Sequence, residues 1–250
     1  SSVFAVRKTM SFRVATAGLL VGAALYLIAA RHTGGLRTWL NFGRFLLLTG
    51  LAGWLAFTGM LFAFQDRLVF SPRSLSPDRL QRIAGDYPWV EEVNIPVSPG
   101  VTLHGWLVPT AKRPAPLVIL FAGQGSEVSR YLDFAHKLPC CAWAFINYRG
   151  YGLSTGQPTD ADLLADAVRV YDYFAARADI DETKIFAIGG SLGTGVATYL
   201  SAHRPLAGVI LFSPYDSIGG GVSRDIIPFV PTRWIWRNRF DVSSYAAKAQ

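Results

Sequence analysis

The sequence predicts an α/β fold built on a mostly parallel sheet and preceded by one or two transmembrane helices. Three observations carry that prediction. From residue 91 onward, short apolar strand-like runs alternate with helical stretches. Two uncharged apolar segments, 14–30 and 45–64, come before them. A Gly-x-Ser-x-Gly lies where a strand should turn into a helix.

The apolar segments come first in the chain. Phe45–Phe64 is an uncharged run of 20 residues, which as a helix matches the roughly 30 Å hydrocarbon core of a bilayer. Val14–Ala30 is shorter, also uncharged, and bracketed by Arg13 and Arg31. Joined by residues 31–44, the two would form a helical hairpin, with Gly18 and Gly22 allowing close approach of a partner helix. An alternative reading makes the first segment a signal peptide, although Ile28-Ala29-Ala30 is a poor small-x-small cleavage site. Basic residues flank the first segment on both sides, so the positive-inside rule pulls both ways and the side of the membrane stays open.

Charge follows the same division. The net charge is +7, and residues 1–67 hold seven basic side chains against Asp66 alone, while 68–250 hold 17 basic and 16 acidic. The positive charge therefore flanks the apolar segments, where it meets lipid headgroups, and no nucleic-acid partner is expected. Cys140 and Cys141 are neighbours, and a bridge between adjacent residues is strained, so they read as a small apolar pair leading into a strand. No ligand cluster has zinc-like spacing, so neither metal nor organic cofactor is expected. The chain divides into an anchor over 1–64, a Pro- and Ser-punctuated connector over 65–90, and a folded domain over 91–250.

Within that domain, Val93–Val97 and Val101–Val108 flank Ser98-Pro99-Gly100 and suggest an antiparallel pair. Leu117–Ala122 is continuously apolar, as a strand buried on both faces requires. A helix is expected over Val128–Leu138 and a strand over Ala142–Asn147. Asp160–Ala176 carries a helical stripe of Leu163, Leu164, Ala167, Val170 and Tyr171. Ile185–Ile188, Leu192–His203 and Ala207–Phe212 then read as strand, helix and strand. Right-handed crossovers make such a sheet parallel, and ligands bind at the carboxyl ends of its strands. The loops after residues 122, 147, 188 and 212 are therefore the ones that matter.

Gly189-Gly190-Ser191-Leu192-Gly193 falls at the third of these loops. A nucleophilic serine there must occupy a sharp, strained turn with its hydroxyl above the sheet, and glycines two residues away on each side remove side chains that would clash. A phosphate-binding loop is the competing reading, but the stretch fits neither G-x-G-x-x-G nor G-x-x-x-x-G-K-[ST].

Several motifs fall in a specific order around this one. They are Phe70-Ser71-Pro72, Gly105-Trp106-Leu107-Val108-Pro109, Phe121-Ala122-Gly123-Gln124-Gly125, Asn147-Tyr148-Arg149-Gly150-Tyr151-Gly152 and Ser213-Pro214-Tyr215-Asp216-Ser217. Together they resemble the α/β-hydrolase superfamily, in particular its serine hydrolases with an N-terminal membrane anchor. The resemblance implies an α/β-hydrolase sheet, incomplete at the C-terminus. It implies Ser191 as nucleophile, with the backbone N–H groups of Gln124 and Leu192 forming an oxyanion hole. Ala122-Gly123-Gln124 departs from the family's usual His-Gly-Asn or Gly-Gly-Asn at this turn.

The rest of a catalytic triad is harder to find. The fold's chain order is Ser, then Asp or Glu, then His. The four histidines, His32, His104, His136 and His203, all read as structural or surface residues, and His203 lies about 18 Å down the helix from Ser191. Asp216, in the loop after the last strand, is an alternative acid. The remaining acid and the base are expected beyond Gln250, which would leave this stretch by itself inactive. Tyr148 and Arg149 are expected to brace loops, and Ile226–Arg237 to form a cap, a membrane-contacting lip or ordinary packing. The expected chemistry is hydrolysis of an ester, thioester or amide through an acyl-enzyme, on a small-molecule, acyl-lipid or acyl-protein substrate at a membrane. Two rivals stand beside it: a catalytically inactive membrane-tethered binding module, and a serine peptidase of the same fold.

Overall fold

The first helix, α1 (Leu36–Val69), takes in the whole of the second apolar run and extends past it at both ends. The structure, a computed structural model, describes residues 36–135 and 138–249. The expectations for the first apolar segment, His32 and His136 lie outside the described residues. The chain divides into two units, Ser1–Met60 and Leu61–Gln250. In the first unit, α1 leaves its apolar side chains bare, with Leu47 69% and Leu48 62% exposed. Residues 37–69 are long and apolar enough to cross a membrane, and none of that span's most apolar stretch is buried.

The second unit begins with the last turns of α1. Within the stretch read as a connector lies a helix, α2 (Pro77–Asp86). Ser76 caps it by accepting the Arg79 N–H at 3.2 Å, and Pro77 occupies the first turn. Ser and Pro residues that read as breakers thus include a helix-start signal.

The sheet starts with the expected hairpin, β1 (Glu91–Ser98) and β2 (Val101–Val108), which turns through Gly100 at φ +73°. β3 (Ala115–Phe121) then leads through a 3-10 turn, Val128–Tyr131, into a single helical turn, α3 (Leu132–Ala135). The helix expected over 128–138 is therefore broken. Asn147 Oδ1 takes the Val128 N–H at 3.1 Å, and Glu127 accepts both the N–H and the hydroxyl of Ser129. These side-chain bonds compete with a regular helical ladder.

β4 (Ala142–Ile146), α4 (Asp160–Ala175), β5 (Ile180–Gly190), α5 (Leu192–Ser201) and β6 (Gly208–Phe212) follow. β5 starts five residues before the apolar run, because Ile180 pairs with Ala115 across a break in register. The strand order is β1-β2-β4-β3-β5-β6, antiparallel through β2–β4 and parallel from β4 to β6. After β6 the chain forms a π-type turn, Ile218–Val222, and three short helices, α6 (Ser223–Ile226), α7 (Thr232–Ile235) and α8 (Val242–Ala246).

Period-two alternation sends successive side chains into two cores. Leu117, Ile119, Ala142 and Ala144 join one, with Leu163, Val170 and Phe174 of α4 and Val196 and Leu200 of α5. Val118, Trp143 and Phe145 join the other, with Ile83 of α2 and Leu132 of α3. Helices thus cover both faces, as parallel strands require. Leu117, Ile119 and Ile185 are fully buried, each worth roughly 1.5–3 kcal/mol relative to exposure, so the end of β5 sits on a rigid support. β6 forms where a strand was expected, and as the edge of the sheet it is open: Ile210 and Phe212 are 54% and 60% exposed, and its outer edge is unpaired among the described residues.

Candidate active site

The turn from β5 into α5 forces Ser191 to φ 48°, ψ −117°, a conformation that costs a non-glycine residue about 1–3 kcal/mol and persists only when its surroundings hold it. Three bonds hold it. The Ser191 N–H donates to the Phe212 carbonyl of β6 at 2.9 Å. Its own carbonyl accepts the Thr194 N–H at 2.8 Å and the Thr194 hydroxyl at 2.7 Å.

The flanking glycines have a spatial reason. A Cβ on Gly193 would land on the Phe121 carbonyl, and one on Gly189 would press into the Gly193–Thr194 backbone. No other residue type lets β3, β5 and α5 approach so closely. The Ser191 hydroxyl makes no cap bond to α5, and the residue is exposed. It therefore stands free above the sheet, at the N-terminus of a helix whose first N–H groups and dipole favour negative charge.

The loop after β3 lies against this turn, since a Cβ added to Gly123 would sit 3.6 Å from that of Ser191. The Gly123 carbonyl folds back to accept the Ser126 N–H at 3.1 Å. In a trans peptide the N–H points opposite to the carbonyl, so the Gln124 N–H faces away from that turn. The Gln124 carbonyl is fixed by the Tyr151 hydroxyl at 2.6 Å and the Ser71 N–H at 3.3 Å. The Tyr148 hydroxyl donates to the Ala122 carbonyl at 2.9 Å. Tyr148 and Arg149 thus brace loops as the sequence suggested, Arg149 through a bidentate pair with Asp166 on α4.

Gln124, Ser191 and Leu192 line one cavity of about 380 Å³. Its remaining walls are mainly apolar: Leu61, Leu68 and Val69 from α1, and Ile218, Val222 and Ile226 from the segment after β6. Tyr215 closes one side, its hydroxyl 3.3 Å from the Leu192 carbonyl. Sequence reading missed this wall. The Ser213–Ser217 motif drew attention to Asp216, whereas its neighbour Tyr215 faces the cavity. Nothing in sequence periodicity marked Leu61, which falls in the apolar run read as a membrane span, or Leu68, which falls in the stretch read as a connector.

Asp216 does not line the cavity. Its carboxylate accepts the Ser217 N–H at 2.7 Å and crowds Gly221, and its backbone carbonyl accepts the Ser243 N–H at 3.1 Å. His104 is buried on β2, with Nε2 2.9 Å from Glu92 and its ring edge-on to Trp106. His203 stacks on Tyr199 near the end of α5, with Nδ1 2.8 Å from the Tyr199 carbonyl. No histidine lines the cavity among the described residues.

The tyrosines around these loops give the site a pH limit. Burial pushes the phenols of Tyr148 and Tyr215 up from their ordinary range and lifts Tyr151 to about 12. An unfolded tyrosine ionises near pH 10, so the unfolded chain releases these protons first. Stability from the neutral phenols is therefore complete below pH 10 and falls as pH rises towards the folded values. The expected slope is about 1.4 kcal/mol per pH unit for each tyrosine. Thermal unfolding between pH 9 and 11 should show the loss, reduced in Tyr151→Phe, and a midpoint independent of pH over that range would refute it.

Comparison with known proteins points one way. The family model described as serine aminopeptidase, S33, matches residues 112–239. The chain is 30% identical over 176 residues to the alpha/beta hydrolase domain-containing protein WAV2 of Arabidopsis thaliana, covering 64% of this chain and 54% of that protein. It is 31% identical over 173 residues to an uncharacterized protein of Mycobacterium tuberculosis, covering 68% and 60%. The chain thus spans a little over half the length of these curated relatives. Among solved structures, an alpha-beta hydrolase from Vibrio vulnificus superposes with a TM-score of 0.61 at 18% identity, covering 74% of this chain and 71% of that one.

Proposed function

The chain belongs to the serine aminopeptidase S33 family of α/β hydrolases, and from that membership we propose a hydrolase whose nucleophile is Ser191. One observation carries the reading: a non-glycine residue held at φ 48° on the floor of an apolar cavity, between two loops. In the proposed reaction the Ser191 hydroxyl attacks an acyl carbonyl. The Leu192 and Gln124 N–H groups receive the oxyanion, and one such donor contributes about 2.7–4 kcal/mol. The leaving group departs with a proton, and water then releases the acid from the acyl-enzyme.

A serine needs a base within reach, and no described histidine lines the cavity. We propose that the base and its acid come from polypeptide outside these 250 residues, in keeping with the partial span of the relatives. Asp216, turned to its own loop, is the weaker candidate for the acid. The apolar walls favour an acyl group as the bound moiety, on a lipid, a protein or a small molecule. We further propose that α1 tethers the protein to a membrane, because its bare apolar side chains need lipid around them.

The test is labelling of the complete polypeptide with a fluorophosphonate probe. The expected result is one phosphonylated residue, Ser191, and no labelling of Ser191→Ala. A complete protein that takes no probe would leave the inactive binding module as the reading, and one labelled equally without Ser191 would place the nucleophile elsewhere. Turnover of p-nitrophenyl esters against aminoacyl anilides then separates an esterase from a peptidase.

A further inference from the structure

The cavity has an unusual rim. Three apolar residues that line it are also open to solvent: Leu68 of α1 at 51%, Val222 at 40% and Ile226 at 72% exposure. Beyond the rim, on the same segment as Ile226, Phe229 is 64% and Trp234 83% exposed. A folded protein rarely leaves so many large apolar side chains bare in one stretch unless something covers them.

The charge of that stretch says what does. Residues 218–240 carry Arg224, Arg233, Arg237 and Arg239 against Asp225 alone. Aromatic and aliphatic side chains alternating with arginines match the boundary between headgroups and acyl chains. The segment is also fastened to the last turns of α1, within the second unit. Gln65 Oε1 accepts the Arg237 N–H at 2.5 Å, Asn238 Nδ2 donates to Asp66 at 2.6 Å, and Arg237 pairs with Asp66 at 3.0 Å. The Arg237 guanidinium also lies 5.2 Å from the centre of the Phe62 ring.

We infer that the segment Ile226–Trp234 is a lipid-facing lip, seated in the interfacial layer of the bilayer, with the mouth of the cavity opening onto that layer. Arg224 and Arg233 meet the phosphates, and Phe229 and Trp234 sit below them. An acyl chain can then pass into the cavity without crossing water. The inference rests on the proposed membrane tether but not on catalysis at Ser191.

The test uses the complete polypeptide in vesicles of phosphatidylcholine and phosphatidylglycerol, some carrying brominated acyl chains. In a Cys140→Ser, Cys141→Ser background, an environment-sensitive fluorophore is placed by Trp234→Cys, by Leu51→Cys in α1, or by Lys112→Cys on an exposed loop. All three positions are exposed, so folding should survive. The label at 234 should emit blue-shifted and be quenched by brominated lipid several-fold more than the label at 112. Quenching at 51 with none at 234 overturns the lip and leaves the tether standing. No quenching at either overturns both, whatever the protein hydrolyses. A blue-shifted label at 234 that brominated lipid does not quench points to a protein partner and also overturns the lip.

Discussion

Ser191→Ala in the complete protein should lower kcat/KM by about a million-fold, the loss seen when the nucleophile of a serine triad is removed. The whole effect should lie in kcat, because the apolar walls proposed to bind the acyl group remain. Ser191→Gly should be just as inactive yet more stable. Residue 191 sits at φ 48°, ψ −117°, a region glycine enters freely and alanine does not. Relieving that strain should make the glycine variant about 1 kcal/mol more stable than the alanine variant. Steady-state kinetics on an acyl ester and thermal unfolding of both variants check the pair. If either variant kept more than a small fraction of its activity, the nucleophile would have to lie elsewhere.

The same residue shows why so much of the site was legible in the sequence. A sharp strand-to-helix turn this tightly packed needs glycine at fixed offsets for purely steric reasons, and Gly189 and Gly193 announce that requirement. The buried strands read equally well, because Leu117–Phe121 and Ala142–Ile146 are apolar at nearly every position and pack on both faces. Other features depend on contacts that sequence patterns do not carry. The break in the helix after Val128 is set by Asn147, 19 residues further on, which takes over a backbone donor. The helix at Pro77–Asp86 hides behind residues that serve turns and caps alike, so Ser76 and Pro77 looked like breakers. The cavity wall is more distant still. Gln65 in α1 meets Ile235 and Arg237 some 170 residues later, and only the fold makes Leu61 and Tyr215 neighbours of Ser191.

Arg149→Ala should destabilise the folded domain by about 3–5 kcal/mol, mostly by what it leaves behind rather than by what it removes. The guanidinium makes two bonds to Asp166, at 2.7 and 2.9 Å, and a third to Asp162 at 2.9 Å. The Asp166 side chain is only 5% exposed, so without Arg149 a carboxylate stays buried next to one half-exposed partner, Arg169, at 3.3 Å. Arg169 shields one oxygen, which puts the expected loss at the lower end of the range. Asp162 is 38% exposed, and water replaces its lost partner at little cost. Arg149→Lys should recover only part of the loss, because a single ammonium cannot match the two-pronged geometry. The informative variant is the double replacement Arg149→Met with Asp166→Leu. It removes both charges together, and should unfold at a higher temperature than Arg149→Ala. Thermal unfolding of all three variants in one detergent decides the matter. If the double replacement is as unstable as Arg149→Ala, the damage comes from the loop itself. The turn from Asn147 to Gly152 holds the Ala122 and Gln124 carbonyls through Tyr148 and Tyr151, so activity would then fall along with stability.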